Sequence, residues 1–268
     1  LYSQRDKLEE ILSQFANKNI AVLSDPNIHV LSTMDASSYL LLSQVKINLC
    51  SASTLIQRIK GTLTKEQYLL HTRAASILYK AVMDSWDAIN KALHENTDLY
   101  EGDIQDLMTN LFTQEGLITD HAPIVAFGKA SSDPHYTVPK AINGLKHRGN
   151  KVERQQVVQF DLWAKYPDGV YADISWIGYT DYQAPSLISD YFTTVITARD
   201  LVYTAIKAAF DKNQSITGAD CDQIVRNFLL QKVSPLAVQH RTGHGIDIDC
   251  HGSGVNLDTI EFPDYRKI

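Results

Sequence analysis

A chain of 268 residues that is 44% hydrophobic and 21% charged has room for one large domain, or one domain and a smaller companion, and its composition excludes disordered and collagen-like classes. A formal net charge of −6 argues against a nucleic-acid partner, because phosphate contacts need a basic face. Cysteines 50, 221 and 250, an odd number without C-x-x-C spacing, give no disulfide framework and fit a reducing, cytoplasmic setting.

The first residues, through about position 20, form a charged amphipathic pattern and not a signal peptide. No apolar run approaches the roughly 20 residues of a membrane span, so no membrane partner is expected. The sequence starts at Leu1 without a methionine and stops at "EFPDYRKI"; both ends read as cuts. Leu8, Ile11, Leu12 and Phe15 recur at helical spacing, and "NIAVL" (19–23) switches to a short buried strand. A second cycle follows, with "VLS" around Val30, a helix near Ala36–Leu42, a strand over Gln44–Cys50 and then "SASTLIQRIK". Such alternation points to a small α/β unit, and so few strands before residue 60 point to the remnant of a larger one. The expected division is a partial N-terminal α/β domain over 1–58 and a second domain over 59–268.

Gly61–Thr64 breaks the pattern, and Thr64 with Gln67 three residues on reads as a capping box. A long amphipathic helix is predicted from Lys65 to about Lys91, and a second over Gly102–Phe112. "HAPIVAFGKASSDPHYTVP" (121–139) reads as a strand followed by a polar loop. "VVQFDLWAKYPDGVYADISWIGYTD" (157–181) reads as two strands around a turn. Helices are predicted again over Asp190–Lys212 and Ala219–Leu230. "RTGHGIDIDCHG" (241–252) reads as a short alternating strand with a histidine at each end.

Two of these stretches carry chemistry. Pro167-Asp168-Gly169 is strong turn chemistry, and folding the chain back about Pro167 sets Asp161 directly opposite Asp173. Facing Cβ atoms on a hairpin lie about 4.5–5.5 Å apart. Two carboxylates so placed repel unless something positive lies between them, and a pair of divalent cations about 3.5–4 Å apart is the economical answer. The alternative is that one aspartate points to solvent and the other caps a turn. The apolar flanks Phe160, Leu162, Trp163, Ile174, Trp176 and Ile177 weigh toward a coordinated pair.

His240, His244 and His251 fall within twelve residues, beside Gly243, Gly245, Gly252 and Gly254, which let backbone approach a site closely. No glutamate follows the first histidine, so the zinc-protease helix H-E-x-x-H is excluded. His244 and His251 have opposite strand parity and cannot share one face of a regular strand. His244 is therefore expected to enter the strand as a ligand. His251, past the strand's end, would reach the site from a loop as a hydrogen-bond donor or proton carrier.

The order and context of these residues resemble the pita-bread metallopeptidases, closest to Xaa-Pro aminopeptidases and prolidases and more distantly methionine aminopeptidases. The resemblance rests on "IVAFGKASSDPHY", on the D…D hairpin with "YADIS" in its second half, and on "GHGIDIDCHGSGVNLD". It covers roughly residues 60–268 and implies an α+β pita-bread catalytic domain, creatinase/aminopeptidase-like. By position it implies Asp161 and Asp173 as metal ligands, Asp173 as the bridge, and His244 as the imidazole ligand. It further implies that His251 stabilises the tetrahedral intermediate or carries a proton, and that His135 and His240 contact substrate. The implied reaction is metal-activated hydrolysis of the bond between an N-terminal residue and proline in proline-containing peptides.

The implied cofactors are two divalent ions, manganese by resemblance, with cobalt and zinc compatible with the same ligand types. A homodimer is implied in the same way. The family completes its site with two glutamates after the last histidine motif, and this sequence stops at Ile268 before either. Glu261 precedes Phe262-Pro263 and does not match. With Asp161, Asp173 and His244 alone, a single weaker metal site is expected. The Asp161–Asp173 interval is one residue longer than is usual, which a bulge or a longer turn would absorb. A dipeptidase of the prolidase type, a non-catalytic peptide- or protein-binding module, and a metal-free hydrolase of a small guanidino compound are the competing functions.

Overall fold

The computed structural model describes residues 4–139 and 148–268, together with the backbone of 141–142 and 145–146. They form two compact units, each discontinuous in sequence. The first comprises residues up to Thr62, Thr194–Gly245 and His251–Ile268; the second comprises Leu63–Thr193 and Ile246–Cys250.

The first unit opens with α1 (Gln4–Ser13), β1 (Asn19–Val22), α2 (Ala36–Gln44), β2 (Asn48–Ser51) and α3 (Ser53–Lys60). β1 and β2 pair in parallel, Asn19 with Asn48 through Val22 with Ser51. The Asp35 side chain caps α2 by accepting from the Ser38 amide at 3.0 Å. The second strand starts later than the alternation predicts, because α2 runs on to Gln44 and Lys46 turns the chain with φ +58°.

The second unit is built on α4 (Lys65–Glu95) and α5 (Glu101–Gln114). The predicted capping box is present: Thr64 Oγ1 accepts from the Gln67 amide and the Gln67 side chain accepts from the Thr64 amide. Ala74, Leu78, Ala81, Val82, Ser85, Ile89 and Ala92 are the buried face of α4, spaced three and four apart as one stripe of a helix must be. Asn96 ends it in the left-handed conformation at φ +54°.

Three antiparallel strands follow in the order β3 (Ile124–Phe127), β6 (Val157–Ala164), β7 (Ala172–Tyr179), with a two-stranded pair β4 (Ala141–Ile142) and β5 (Leu145–Lys146) in the connection. Val125, Phe127, Val158, Phe160 and Leu162 pack with the α4 stripe and with Ile104, Met108 and Phe112 of α5 in one core. Each such side chain contributes about 1.5–3 kcal/mol when fully buried. On β7, Gly178 lies flat against the Trp86 ring, and a Cβ there would overlap the indole. The arrangement is α+β, with antiparallel strands covered by helices.

The chain then runs through α6 (Ser186–Asp211) and α7 (Gly218–Leu229). Ala198 and Val202 pack with Cys221 and Val225 as the buried centre of a smaller cluster in the first unit. Among the described residues no helix is long and apolar enough to cross a membrane.

Candidate active site

In the second unit, β6 is the central strand. Its residues 158, 160, 162 and 164 face the core, while Asp161 and Trp163 lie half-buried on the opposite face. The ladder to β7 is unbroken from Val157–Tyr179 to Ala164–Ala172, and it pairs Asp161 with Ser175 and Trp163 with Asp173. The direct Asp161–Asp173 pairing expected from a pivot on Pro167 is therefore corrected. The two carboxylates share a face as diagonal neighbours, two positions out of register.

The cause is the connection. The Gly169 amide is committed to the Tyr166 carbonyl, Lys165 exchanges both backbone bonds with Ile118, and the Tyr171 amide donates to the Asp247 carbonyl. The ladder therefore closes at 164 and 172. It holds no bulge, so the long interval is absorbed by the 165–171 connection. Diagonal neighbours stand at about 7–8 Å between Cα atoms, a separation with room for an ion.

Asp161 Oδ1 accepts from Ser175 Oγ at 2.7 Å. Asp173 Oδ2 accepts from the Cys250 thiol at 3.6 Å. Burial, and then the negative charge of Asp173, push the Cys250 thiol well above its ordinary range, with Asp120 and Asp161 adding to the effect, so Cys250 stays a protonated donor. Asp120 enters the same neighbourhood through Trp163, whose Nε1 donates to Asp120 Oδ1 at 2.6 Å. Burial opposes the charge on Asp120, but the bonds from Trp163 and His121 outweigh it and hold its carboxyl below the usual range. Neither Asp120 nor Cys250 was singled out from the sequence, since both act across large sequence separations.

The predicted strand over 246–250 does not form. The Asp247 amide donates to the Asp249 carbonyl at 3.1 Å, and the Asp249 amide donates to Asp247 Oδ1 at 2.8 Å. A short carboxylate bonding its own backbone two residues on offers an alternative to a ladder, and here it wins despite the alternating pattern.

His135 is exposed in the loop after β3, with its amide donating to Asp133 Oδ1 at 2.9 Å. The next residue anchors that loop. Tyr136 donates its hydroxyl to Glu101, a fully buried carboxylate that also accepts from the Phe127 amide and from the amide and side chain of Asn150. Burial, and then Glu101, push the Tyr136 phenol above its ordinary range. Gly149, at φ +80°, lies against Glu101 where a Cβ would overlap it.

In the first unit the other histidines sit on an irregular segment. Gly243 bridges Leu257, and the Gly252 amide donates to the Gly245 carbonyl at 2.8 Å. Gly245 and Gly254 meet backbone to backbone, too closely for a Cβ on Gly245. This fold-back sets the His244 and His251 rings 4.5 Å apart at 42°. The expectation that strand parity separates them is corrected, because there is no strand to impose parity.

His244 Nδ1 lies 3.2 Å from the Gly245 carbonyl, and His240 Nδ1 lies 2.8 Å from that of Arg241. A carbonyl only accepts, so both contacts are made by a protonated Nδ1. His240 and His251 are exposed and His244 is half-buried.

Carboxylate and imidazole donors are of the kind a divalent cation takes. Among the described residues, no three His, Cys, Asp or Glu side chains are gathered into a group that could hold one. Asp161 and Asp173 thus share the hairpin face, and His244 and His251 stand as a pair within the first unit. A cavity of about 450 Å³ in the first unit, lined by residues such as Asp25, Arg58 and Tyr265, includes none of the predicted site residues.

Residues 71–266 match Peptidase_M24, metallopeptidase family M24. No curated protein matches the chain. Among solved structures it is similar to the X-Pro aminopeptidase from Thermotoga maritima, at 18% identity and a TM-score of 0.64, covering 98% of this chain and 66% of that one. It is similar to the prolidase from Pyrococcus furiosus, at 18% identity and a TM-score of 0.63, covering 97% and 68%. It is also similar to the N-terminal domain of FACT complex subunit SPT16 from Cicer arietinum (chickpea), at 11% identity and a TM-score of 0.69, covering 100% and 61%. At such identities the likeness is one of fold, and the chain spans roughly two thirds of the length of these structures.

Proposed function

The chain belongs to metallopeptidase family M24, and from that premise we propose that it acts as a metal-dependent exopeptidase, removing an N-terminal residue that precedes proline. The observation that carries the reading is the hairpin face on which Asp161 and Asp173 stand as diagonal neighbours. Residues 59–268 are then the catalytic domain and 1–58 the end of an N-terminal one. Asp161, Asp173 and His244 are the residues of this chain that would hold the metal. When bound, divalent ions, manganese first among the candidates, supply Lewis acidity that brings the pKa of water toward neutrality.

The chain's own residues do the rest. Ser175 holds one oxygen of Asp161 and Cys250 one oxygen of Asp173, fixing carboxylate orientation as outer partners of a ligand do. His251 donates a hydrogen bond or carries a proton to the group developing charge. His135 and His240 bind substrate beside the scissile bond. The natural setting on this reading is a cytoplasmic homodimer acting on proline-containing peptides.

The test is turnover by the manganese-loaded native protein of an Xaa-Pro-Yaa tripeptide and an Xaa-Pro dipeptide. Release of Xaa from the tripeptide alone supports the aminopeptidase. Cleavage of the dipeptide alone makes the protein a prolidase-type dipeptidase. Cleavage of neither overturns the peptidase reading. The fold likeness to the SPT16 domain favours one second reading, a non-catalytic peptide- or protein-binding module, which would bind peptides without cleaving them and without metal.

A further inference from the structure

We propose that Asp222 and Arg226, an ion pair one turn apart on α7, are positioning residues for the histidines at 240 and 244. The roles of those histidines rest on the peptidase reading; the clamp itself rests on geometry. Asp222 is completely buried, and both its oxygens are saturated. Oδ1 accepts from the Thr242 amide at 3.0 Å, from the Thr242 hydroxyl at 2.6 Å and from Arg226 Nη2 at 3.3 Å. Oδ2 accepts from the Thr259 amide at 2.9 Å, from the Thr259 hydroxyl and from Arg226 Nε at 3.2 Å. Arg226 spends its remaining donors on the same segment, with Nη1 reaching the Val238 carbonyl at 2.8 Å and Nη2 the His240 carbonyl at 3.2 Å.

The pair therefore grips positions 238, 240, 242 and 259. Val238 and Thr242 bracket His240, and Thr242 lies two residues before His244. Gly243, the residue between Thr242 and His244, is held in turn by its bridge to Leu257. None of this backbone belongs to a helix or strand, so no ladder fixes the imidazoles, and the clamp supplies the missing register from a rigid helix.

Stability alone is a poor account of the pair. Burying two charges costs several kcal/mol of desolvation, and apolar residues of similar size often do as well or better. Here α7 already presents Cys221 and Val225 to its core. What apolar replacements cannot do is hold carbonyls and amides at fixed positions. Outer partners of functional histidines are worth about 10–100-fold in affinity or activity.

The experiment uses the whole protein labelled with 15N-histidine and reads the imidazole resonances and tautomers by NMR in wild type and Asp222→Asn. The expected result is that the His240 and His244 signals shift or broaden while those of His94 and His121 stay in place, with kcat/KM falling about tenfold or more. Unchanged His240 and His244 signals in a folded Asp222→Asn protein overturn the proposal. Where Asp222→Asn does not fold, Thr242→Val removes one hydroxyl from the clamp, and the same signals are expected to move; their constancy overturns the proposal equally. A wild-type protein without turnover would instead count against the peptidase reading and leave the NMR result standing.

Discussion

Asp161 and Asp173 are placed by backbone, whereas His240 and His244 are placed by side chains. On the hairpin, each residue's position follows from its neighbour's through a ladder of amide bonds, and the register closes where Lys165 and Tyr171 find other partners. In the segment from Val238 to Asp264, buried carboxylates do that work. Asp222 holds Thr242 and Thr259, Asp258 collects the amides of Ile260, Glu261 and Phe262, and Asp264 pairs with Arg266, which in turn holds the Ser253 and Gly254 carbonyls. A ladder distributes its cost over many weak bonds, so losing one side chain is tolerable. A carboxylate hub concentrates it, because one missing group orphans several donors at once.

That contrast orders the expected effects. Asp222→Ala should be the most damaging single change, about 3–5 kcal/mol in urea unfolding, because it leaves the half-buried Arg226 without its counter-charge and the Thr242 and Thr259 amides without their acceptor. A loss below about 1 kcal/mol would erase the distinction between hub and ladder. Gly178→Ala should cost about 1–3 kcal/mol through overlap with Trp86. It should leave the histidine NMR signals unmoved, since it strains the sheet and not the segment. Ser175→Ala removes one bond to Asp161 and should cost about 0.5–1.5 kcal/mol with the ladder intact.

Acid provides a subtler probe. Burial works against the charge on Asp222, but hydrogen bonds from Thr242, Thr259 and Arg226 outweigh it and hold its carboxyl below the ordinary value of 3.8. A carboxyl depressed on folding stabilises the native state above its unfolded value and loses that contribution as pH falls through its folded value. The stability gap between wild type and Asp222→Asn should therefore be fully open above pH 3.8 and close below it. A gap that widens on acidification would reverse the sign of the argument.

The same contrast explains what could be read in advance. The Thr64 capping box, the α4 stripe and the shared face of Asp161 and Asp173 follow from short-range rules of capping, helical spacing and strand alternation, and all three are present. The hairpin register missed by two positions because it was set by Ile118 and Asp247, residues distant in sequence. The alternation of Ile246, Ile248 and Cys250 pointed to a strand, yet the Asp247–Asp249 turn took those amides. Asp222, Arg226 and Glu101 carried no local signal at all. A charged residue on a helix reads as solvated, and only the tertiary arrangement brings the orphaned amides it satisfies.

The most direct test of the central claim, that the hairpin face holds metal, is the metal content of purified Asp173→Asn beside wild type, by elemental mass spectrometry after equilibration with manganese. The account predicts that wild type retains the ion and that the folded variant does not. Equal retention by the two proteins would contradict it and take Asp173 out of the site.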